Sequence, residues 1–327
     1  MLESPDSLCD RPSVLLDPFS DILRLANARS VVSGGFVAGG RWAIRFPAPT
    51  KIKFFAIVRG SAWLRVDGEK AAARVEAGDV FLISRRSFVL ASAPGVSPVD
   101  AHRVFTGESR AFARIGRGDE FSLLGCHVDL DPTNGSLLVE VLPTQIHVSA
   151  ASPQATVMQW LLDQLVRERS AELPGSGAAS LQLAHLMFVQ ILRAHLAGSE
   201  NHTAGWLRAV NDPRLAPALR RMHAEPGRAW QLGELARASA MSRTSFAHHF
   251  KAAAGVAPLT YLTRWRMRLA ERALREADTP VAELARSLGY ASESAFSHAF
   301  KRIMGAAPKR YRAAAQAKTR DRLAAAS

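Results

Sequence analysis

Val281-Ala-Glu-Leu284-Ala285-Arg-Ser-Leu288-Gly289-Tyr-Ala-Ser292-Glu-Ser-Ala-Phe296-Ser-His-Ala-Phe300-Lys-Arg302 reads as a helix, a sharp turn and a second helix. Thr279 is placed to cap it and Pro280 suits a first helical position. Val281, Leu284, Ala285 and Leu288 fall at helical spacing, and Gly289 supplies the positive φ that a tight turn requires. Ser292 is a cap for the helix that follows, with Phe296 and Phe300, four apart, turned inward.

The same pattern occurs about 49–50 residues earlier. Leu235-Ala236-Arg237 matches Leu284-Ala285-Arg286, Phe250-Lys251 matches Phe300-Lys301, the Gly255–Pro258 segment matches Gly305–Pro308, and Tyr261 matches Tyr311. In the first copy Ser242 is the cap, Phe246 and Phe250 point inward, and Ala240 stands where the second copy has the turn glycine. Between the copies, Leu259 to Ala277 reads as one long helix with an apolar stripe of Leu262, Trp265, Leu269 and Ala273, and with Glu271 and Arg275 at i,i+4 spacing. Two copies are too few for a solenoid and suit a duplicated small module.

A helix-turn-helix places its second helix in the major groove of DNA. The inward phenylalanines leave Arg243, Thr244, Ala247 and His248 outward in the first copy, and Glu293, Ser294, Ser297 and His298 in the second. Arg can fork onto guanine, hydroxyls serve several bases, Glu accepts from cytosine, and Ala247 offers only an apolar contact to a thymine methyl. Lys251, Lys301, Arg302, Lys309, Arg310 and Arg312 are candidates for phosphates, which set register rather than sequence. Glu293 has a second reading, as a carboxylate favoured at a helix N-terminus. His249, about 100° from His248, reads as packing or phosphate-facing.

Charge agrees. The 327 residues carry 42 Lys and Arg against 29 Asp and Glu, a net of +13. Beyond residue 213 there are 21 basic and 8 acidic residues, so the entire excess sits there and points to a polyanion partner. No apolar run reaches the ~18 residues of a membrane span. Glu3, Asp6 and Asp10 precede any basic residue, unlike a signal peptide, and two cysteines, Cys9 and Cys126, imply no disulfide framework. A soluble cytoplasmic protein is expected.

Residues from about 206 to 313 resemble the DNA-binding domain of the AraC/XylS regulators. The match runs through Ala218–His223, Leu235-Ala236 with Met241-Ser242-Arg243, Tyr261–Met267, Leu288-Gly289-Tyr290, Ser292–Ser297 and Gly305–Tyr311. The resemblance implies a seven-helix domain, recognition helices at 243–251 and 293–301, a promoter as the double-stranded DNA partner, and RNA polymerase as a further one. Activation is the commoner habit of that family.

Residues 1–150 read as short strands. Phe54–Val58, Ala62–Val66 and Val80–Ile83 are joined by Asp67-Gly68, a hairpin signal, and Ala77-Gly78-Asp79. This part resembles the cupin-type sensor domain carried by one branch of the same family, which implies a small all-β barrel holding an effector. Trp42, Phe55, Trp63 and His102 are the pocket candidates; the alternative makes the aromatics core and His102 a satisfied polar residue. Many cupins hold a metal through His-x-His, but the corresponding strand reads Lys51-Ile-Lys53, and His102, His127 and His147 lack ligand spacing, so no metal, cofactor or catalytic residue is expected. Cys126 is a redox sensor only if exposed with a lowered pKa. Residues 151–200 form two helices, with apolar stripes at Val157, Trp160, Leu161, Leu165, Val166 and at Leu183, Leu186, Met187, Ile191, Leu192. In the resembling family such helices commonly form a homodimer; the alternative is packing on the barrel. Residues 201–213 read as a linker, 214–315 as the DNA-binding domain and 316–327 as a loose basic tail.

The expected function is a sequence-specific transcription regulator answering a small-molecule effector of unknown identity. The alternative is a cupin-type metal-dependent enzyme fused to a DNA-binding domain. A third reading is nonspecific DNA compaction, against which the two different outward faces argue.

Overall fold

The structure is a computed structural model that describes residues 17–106, 111–171, 173–198 and 205–324. The N-terminal acidic residues, Cys9 and Ser199 lie outside the described residues. The chain divides into two compact units, one of Ala26–Asn201 and one that joins Met1–Leu25 to His202–Ser327.

The first unit is built on eleven strands: β1 (Arg29–Ala38), β2 (Ala43–Phe46), β3 (Ile52–Arg59), β4 (Ser61–Val66), β5 (Ala73–Glu76), β6 (Val80–Ile83), β7 (Phe88–Ala91), β8 (Val99–Asp100), β9 (Phe112–Ile115), β10 (Phe121–Asp129) and β11 (Gln145–Val148). They form a six-stranded sheet in the order β11-β6-β3-β10-β1-β9 and a five-stranded sheet in the order β5-β4-β7-β2-β8. The expected barrel is therefore two sheets that do not close. Both contribute to one core, with Phe36, Phe55, Ile57, Phe81, Ile83 and Leu123 from the larger and Ile44, Leu64, Val66, Phe88 and Leu90 from the smaller. Alternation along the strands sets which side chains reach that core. The Asp67-Gly68 hairpin is present, with Gly68 at φ +93° and the Glu69 amide donating to the Val66 carbonyl at 3.0 Å.

Helix α1 (Pro18–Leu25) precedes the strands in the chain and belongs to the second unit, and the helices of the first unit follow it. They are α2 (Ala101–Val104), α3 (Ser136–Val141), α4 (Ala155–Ala171) and α5 (Ser176–Gly198). Phe188 of α5 stacks on Phe54 at 6.3 Å, so the second helix covers the outer face of the larger sheet. In α4, Leu161 and Leu165 are buried as expected, together with Met158 and Leu162, whereas Val157 and Trp160 are exposed. In α5, Met187, Ile191 and Leu192 are buried as expected, together with Ala184 and Phe188, while Leu186 is exposed.

The second unit is helical: α1 (Pro18–Leu25), α6 (Trp206–Asn211), α7 (Ala216–Ala224), α8 (Leu232–Ala238), α9 (Arg243–Ala254), α10 (Pro258–Glu276), α11 (Val281–Ser287), α12 (Glu293–Met304) and α13 (Pro308–Ala324). Two differences from the sequence reading stand out. The segment read as a linker contains α6, which buries Trp206, Leu207 and Ala209, and the tail read as loose past residue 315 continues as α13 to Ala324. Helix α1, grouped by sequence with the barrel, packs here instead: it buries Phe19, Ile22, Leu23 and Leu25, and Phe19 lies 6.4 Å from Trp206. Among the described residues no helix is long and apolar enough to cross a membrane.

Candidate nucleic-acid interface

The two helix-turn-helix units are built alike. In each, the first helix ends in the same pair of turn hydrogen bonds. Met241 N–H donates to Ala236 and Ala240 N–H to Arg237 in the first; Tyr290 N–H donates to Ala285 and Gly289 N–H to Arg286 in the second. This closing motif needs a left-handed residue after the helix. Ala240 adopts φ +51° and Gly289 φ +76°. Ser242 and Ser292 then cap α9 and α12, their hydroxyls accepting from the amides of Ser245 (3.2 Å) and Ala295 (3.1 Å). Both helices end at left-handed glycines, Gly255 and Gly305.

The inward phenylalanines Phe246, Phe250, Phe296 and Phe300 are fully buried. That fixes the helix phase, and the burial sequence over 242–250 repeats residue for residue over 292–300. Arg243, Thr244, His248, Glu293, Ser294 and His298 are exposed, and Ala247 and Ser297 half-buried at equivalent positions. Arg243 lies across α8: a Cβ added to Gly233 would sit 2.8 Å from its Nε. Glu293 lies 3.8 Å from the Lys309 ammonium, so two candidates of different expected roles form one exposed ion pair. Lys251, Lys301, Arg302 and Arg310 are exposed. Arg312 is a correction: its guanidinium donates to the Thr279 carbonyl and reaches Asp278 at 4.0 Å, holding α13 to the loop before α11. His249 is also engaged, with Nε2 2.5 Å from Asp212 and Nδ1 3.3 Å from Arg214.

Sequence reasoning missed what holds the two modules in register. Helix α10, 19 residues long, spans about 28 Å at 1.5 Å per residue. From its middle, Arg266 donates through Nε to the Pro226 carbonyl (2.6 Å) and through Nη2 to the Arg228 carbonyl (2.8 Å), while its guanidinium lies 5.8 Å from the Tyr290 ring. The loop it grips also meets the second turn backbone to backbone, since a Cβ on Gly289 would fall 2.0 Å from the Gly227 carbonyl oxygen. No periodicity announces such a contact.

Each module also has a buried polar anchor on its repeated tyrosine. The Tyr261 hydroxyl donates to His223 Nε2 (2.8 Å), and His223 Nδ1–H donates to Asp21 of α1 (3.2 Å), with Trp265 stacked on the imidazole at 4.1 Å. Burial holds the His223 pKa below the usual imidazole value despite Asp21, which fixes the neutral tautomer this chain of hydrogen bonds needs. In the second module the Tyr311 hydroxyl donates to the fully buried Glu271 carboxylate (2.8 Å), which forms an ion pair with Arg275 Nε 2.8 Å away, the i,i+4 pair expected from spacing.

The four expected pocket residues of the first unit do not come together. Trp42 and Phe55 are core: Trp42 lies against Phe36 (5.3 Å) and Phe121 (4.8 Å), and Phe55 against Phe81 (5.1 Å) and Phe88 (5.3 Å). Trp63 alternates with buried Ala62 and Leu64 and so faces away from that core, and His102 is exposed on α2. Trp42 alone borders a cavity, of about 290 Å³, with Gly39, Ser61, Ser92 and Glu120. A second cavity of about 260 Å³ is bordered by Lys51, Ser84, Arg85, Asp129, Asp131 and Ser136. Burial pushes the Cys126 thiol up to about 12, the opposite of a reactive thiolate.

The cupin family profile matches residues 17–197, and a helix-turn-helix domain profile matches residues 235–314. Over 298 residues the chain is 42% identical to a protein of Streptomyces lividans described as an AraC-like transcription regulator, covering 91% of this chain and 98% of that one. The chain belongs to the AraC-like transcription regulators. This regulator is also 30% identical to the transcriptional regulator AlkR of Acinetobacter baylyi, over 84% of its own length and 91% of AlkR's. The crystal structure of the DNA-binding domain of AdpA with a target DNA matches 32% of this chain and 95% of that one, at 32% identity and a TM-score of 0.31.

Proposed function

We propose that this AraC-like regulator reads two elements of a promoter with α9 and α12, and that its cupin-like unit adjusts that binding in answer to a small organic effector. The observation that carries the reading is the repeat of caps, turn and burial at 242–250 and 292–300. It turns two chemically different sets of side chains outward from two identical frames. Arg243, Thr244, Ala247 and His248 face one element and Glu293, Ser294, Ser297 and His298 the other, with Lys251, Lys301, Arg302, Lys309 and Arg310 at phosphates. The different outward sets support sequence-specific recognition over nonspecific compaction. A coupling of about 1–3 kcal/mol between effector and DNA suffices for a 5–150-fold change in affinity.

A homodimer through α4 and α5 is part of the proposal. Val157 and Trp160, 46% and 55% exposed, and Leu181 and Leu186, 43% and 40%, supply the apolar surface that supports it. RNA polymerase is the expected partner on the promoter.

Selection of bound duplexes from a random library tests the reading. The expected result is a motif with two half-elements about one helical turn (~34 Å) apart, relaxed at one element by Arg243→Ala and at the other by His298→Ala. No enriched motif, with affinity falling uniformly as salt rises, sinks it.

A further inference from the structure

One end of the first unit holds a carboxylate that its packing leaves free. Where β1 and β3 finish and β4 and β10 begin, the cavity of about 290 Å³ is bordered by Gly39, Trp42, Ser61, Ser92, Glu120 and Phe121. Glu120 is the one ionisable residue on that border. Its carboxylate occupies space that two glycines leave open, since a Cβ on Gly39 or on Gly118 would fall 2.4 Å from Oε2. That oxygen therefore lies over Gly39, at the rim of the cavity. Among the described residues Glu120 has no hydrogen-bond or ion-pair partner. The neighbouring guanidiniums are engaged elsewhere, Arg59 with Asp119 at 2.6 Å and Arg114 with the Gly118 carbonyl at 3.3 Å. Water solvates Glu120 at the rim, so its position singles it out rather than any cost of burial.

The rest of the border is apolar or already hydrogen-bonded. The buried rings of Trp42 and Phe121 lie 4.8 Å apart. The Ser92 hydroxyl accepts from the Trp42 amide (3.0 Å) and donates to the Trp42 carbonyl (3.2 Å), which fixes that residue from both sides, and the Ser61 hydroxyl accepts from Arg74 (3.3 Å). Aromatic rings carry negative π faces, and a carboxylate beside them adds a full charge, so such a site attracts a cation and repels an anion. The hydrogen bonds narrow the class further. A primary ammonium brings N–H donors that each need an acceptor, and Glu120 is the one acceptor side chain on the border without a hydrogen bond. A quaternary ammonium brings no donor, and it gains from the rings and from the charge alone.

We propose that the cavity between Trp42 and Glu120 is a binding site for a small quaternary ammonium ligand. The proposal rests on the sensing reading above and deepens it by naming the chemical class of the effector. The volume lies at the small end of the range for organic ligands, roughly 300–1,000 Å³, so a compact cation suits it. Glu120 supplies the countercharge, and Trp42 and Phe121 supply the apolar wall.

Titration calorimetry on the full chain tests this, with choline chloride as probe, ionic strength held with sodium chloride, and 3,3-dimethyl-1-butanol as the uncharged isostere with carbon in place of nitrogen. Choline is expected to bind at least about tenfold more tightly than the isostere and than ethanolamine, its primary-ammonium counterpart. Glu120→Gln keeps the shape of an exposed side chain, so its urea midpoint should match the parent; it should weaken choline at least about tenfold and leave the isostere unchanged. No choline binding, equal affinity for choline and its isostere, or undiminished choline binding to Glu120→Gln overturns the site. Ethanolamine binding as tightly as choline overturns the quaternary class. DNA affinity measured in the same samples separates the two claims: choline binding that depends on Glu120 but leaves DNA affinity unmoved upholds the cation site and counts against sensing through it.

Discussion

The two turns invite one exchange made in opposite directions. Ala240 and Gly289 occupy the same place in the repeated frame, both at positive φ and both with the same turn hydrogen bonds. An L-residue in the left-handed region loses roughly 1–2 kcal/mol, and glycine costs roughly 0.5–1 kcal/mol in unfolded-state entropy. Ala240→Gly, at an exposed site, should therefore stabilise by about 0.5–1 kcal/mol. Gly289→Ala incurs the left-handed cost and a collision as well, because its Cβ would lie 2.0 Å from the Gly227 carbonyl oxygen, an atom of backbone rather than of a yielding side chain. Overpacking of this kind adds roughly 1–3 kcal/mol, so the total is about 3 kcal/mol of destabilisation. Equilibrium unfolding in urea, followed by circular dichroism on the full chain, reads both as shifts of midpoint at constant slope. The reasoning fails if Gly289→Ala costs less than about 1 kcal/mol, since the two turns would then be interchangeable and the contact between the 226–228 loop and the second turn would be loose.

Three further outcomes follow from the polar anchors. Because the folded-state pKa of His223 lies below its unfolded value of 6.5, the unfolded chain binds the extra proton first. Stability should be flat above about pH 7.5 and fall as pH drops through 6.5; a denaturation series should show that fall flattened in His223→Gln, and an unaltered fall would refute the assignment. Glu271→Ala leaves Arg275 half-sequestered without its carboxylate and should destabilise by about 3 kcal/mol, whereas Glu271→Met with Arg275→Met together should recover most of it, as a double-mutant cycle would read. Arg266→Ala removes both carbonyl contacts to the 226–228 loop. Fluorescence anisotropy should show affinity for a two-element duplex falling about tenfold with little change for a single element, and equal losses on both would disprove its role as a spacer.

The frame of the recognition helices was legible because it is local. Caps Ser242 and Ser292, the turn glycine and phenylalanines four apart are each set by residues within one turn of the helix they serve, and the repeat doubled the signal. What failed was non-local. Trp42 and Phe55 read equally as pocket wall or core because an aromatic on a strand looks the same whether its face is filled or empty, and only the opposing phenylalanines decide it. Val157 and Trp160 were placed inward because one period of apolar residues on α4 admits two phases, and packing against α5 chooses between them. Arg312 read as a phosphate contact because its charge is visible in the sequence and the Thr279 carbonyl it serves is not.

The placement of α1 shows how duplication was put to different uses in the two halves. Tyr261 and Tyr311 are equivalent, and each meets the last phenylalanine of its recognition helix edge-on, at 5.6 and 5.5 Å. Beyond the hydroxyl they diverge. Tyr311 meets Glu271 and, through it, Arg275, both within α10. Tyr261 reaches, through His223, Asp21, a residue 202 positions from His223 and five before the chain enters the other unit at Ala26. The helical unit is thus joined to the cupin-like unit by two covalent crossings, and the first of them carries a hydrogen-bonded chain to Tyr261, which packs on Phe250 of α9. A displacement of the segment before β1 has a route through Asp21, His223 and Tyr261 to the first recognition helix. An effector acting by that route would alter recognition of the Arg243 element more than of the His298 element, and duplex selection repeated with and without it would register the asymmetry.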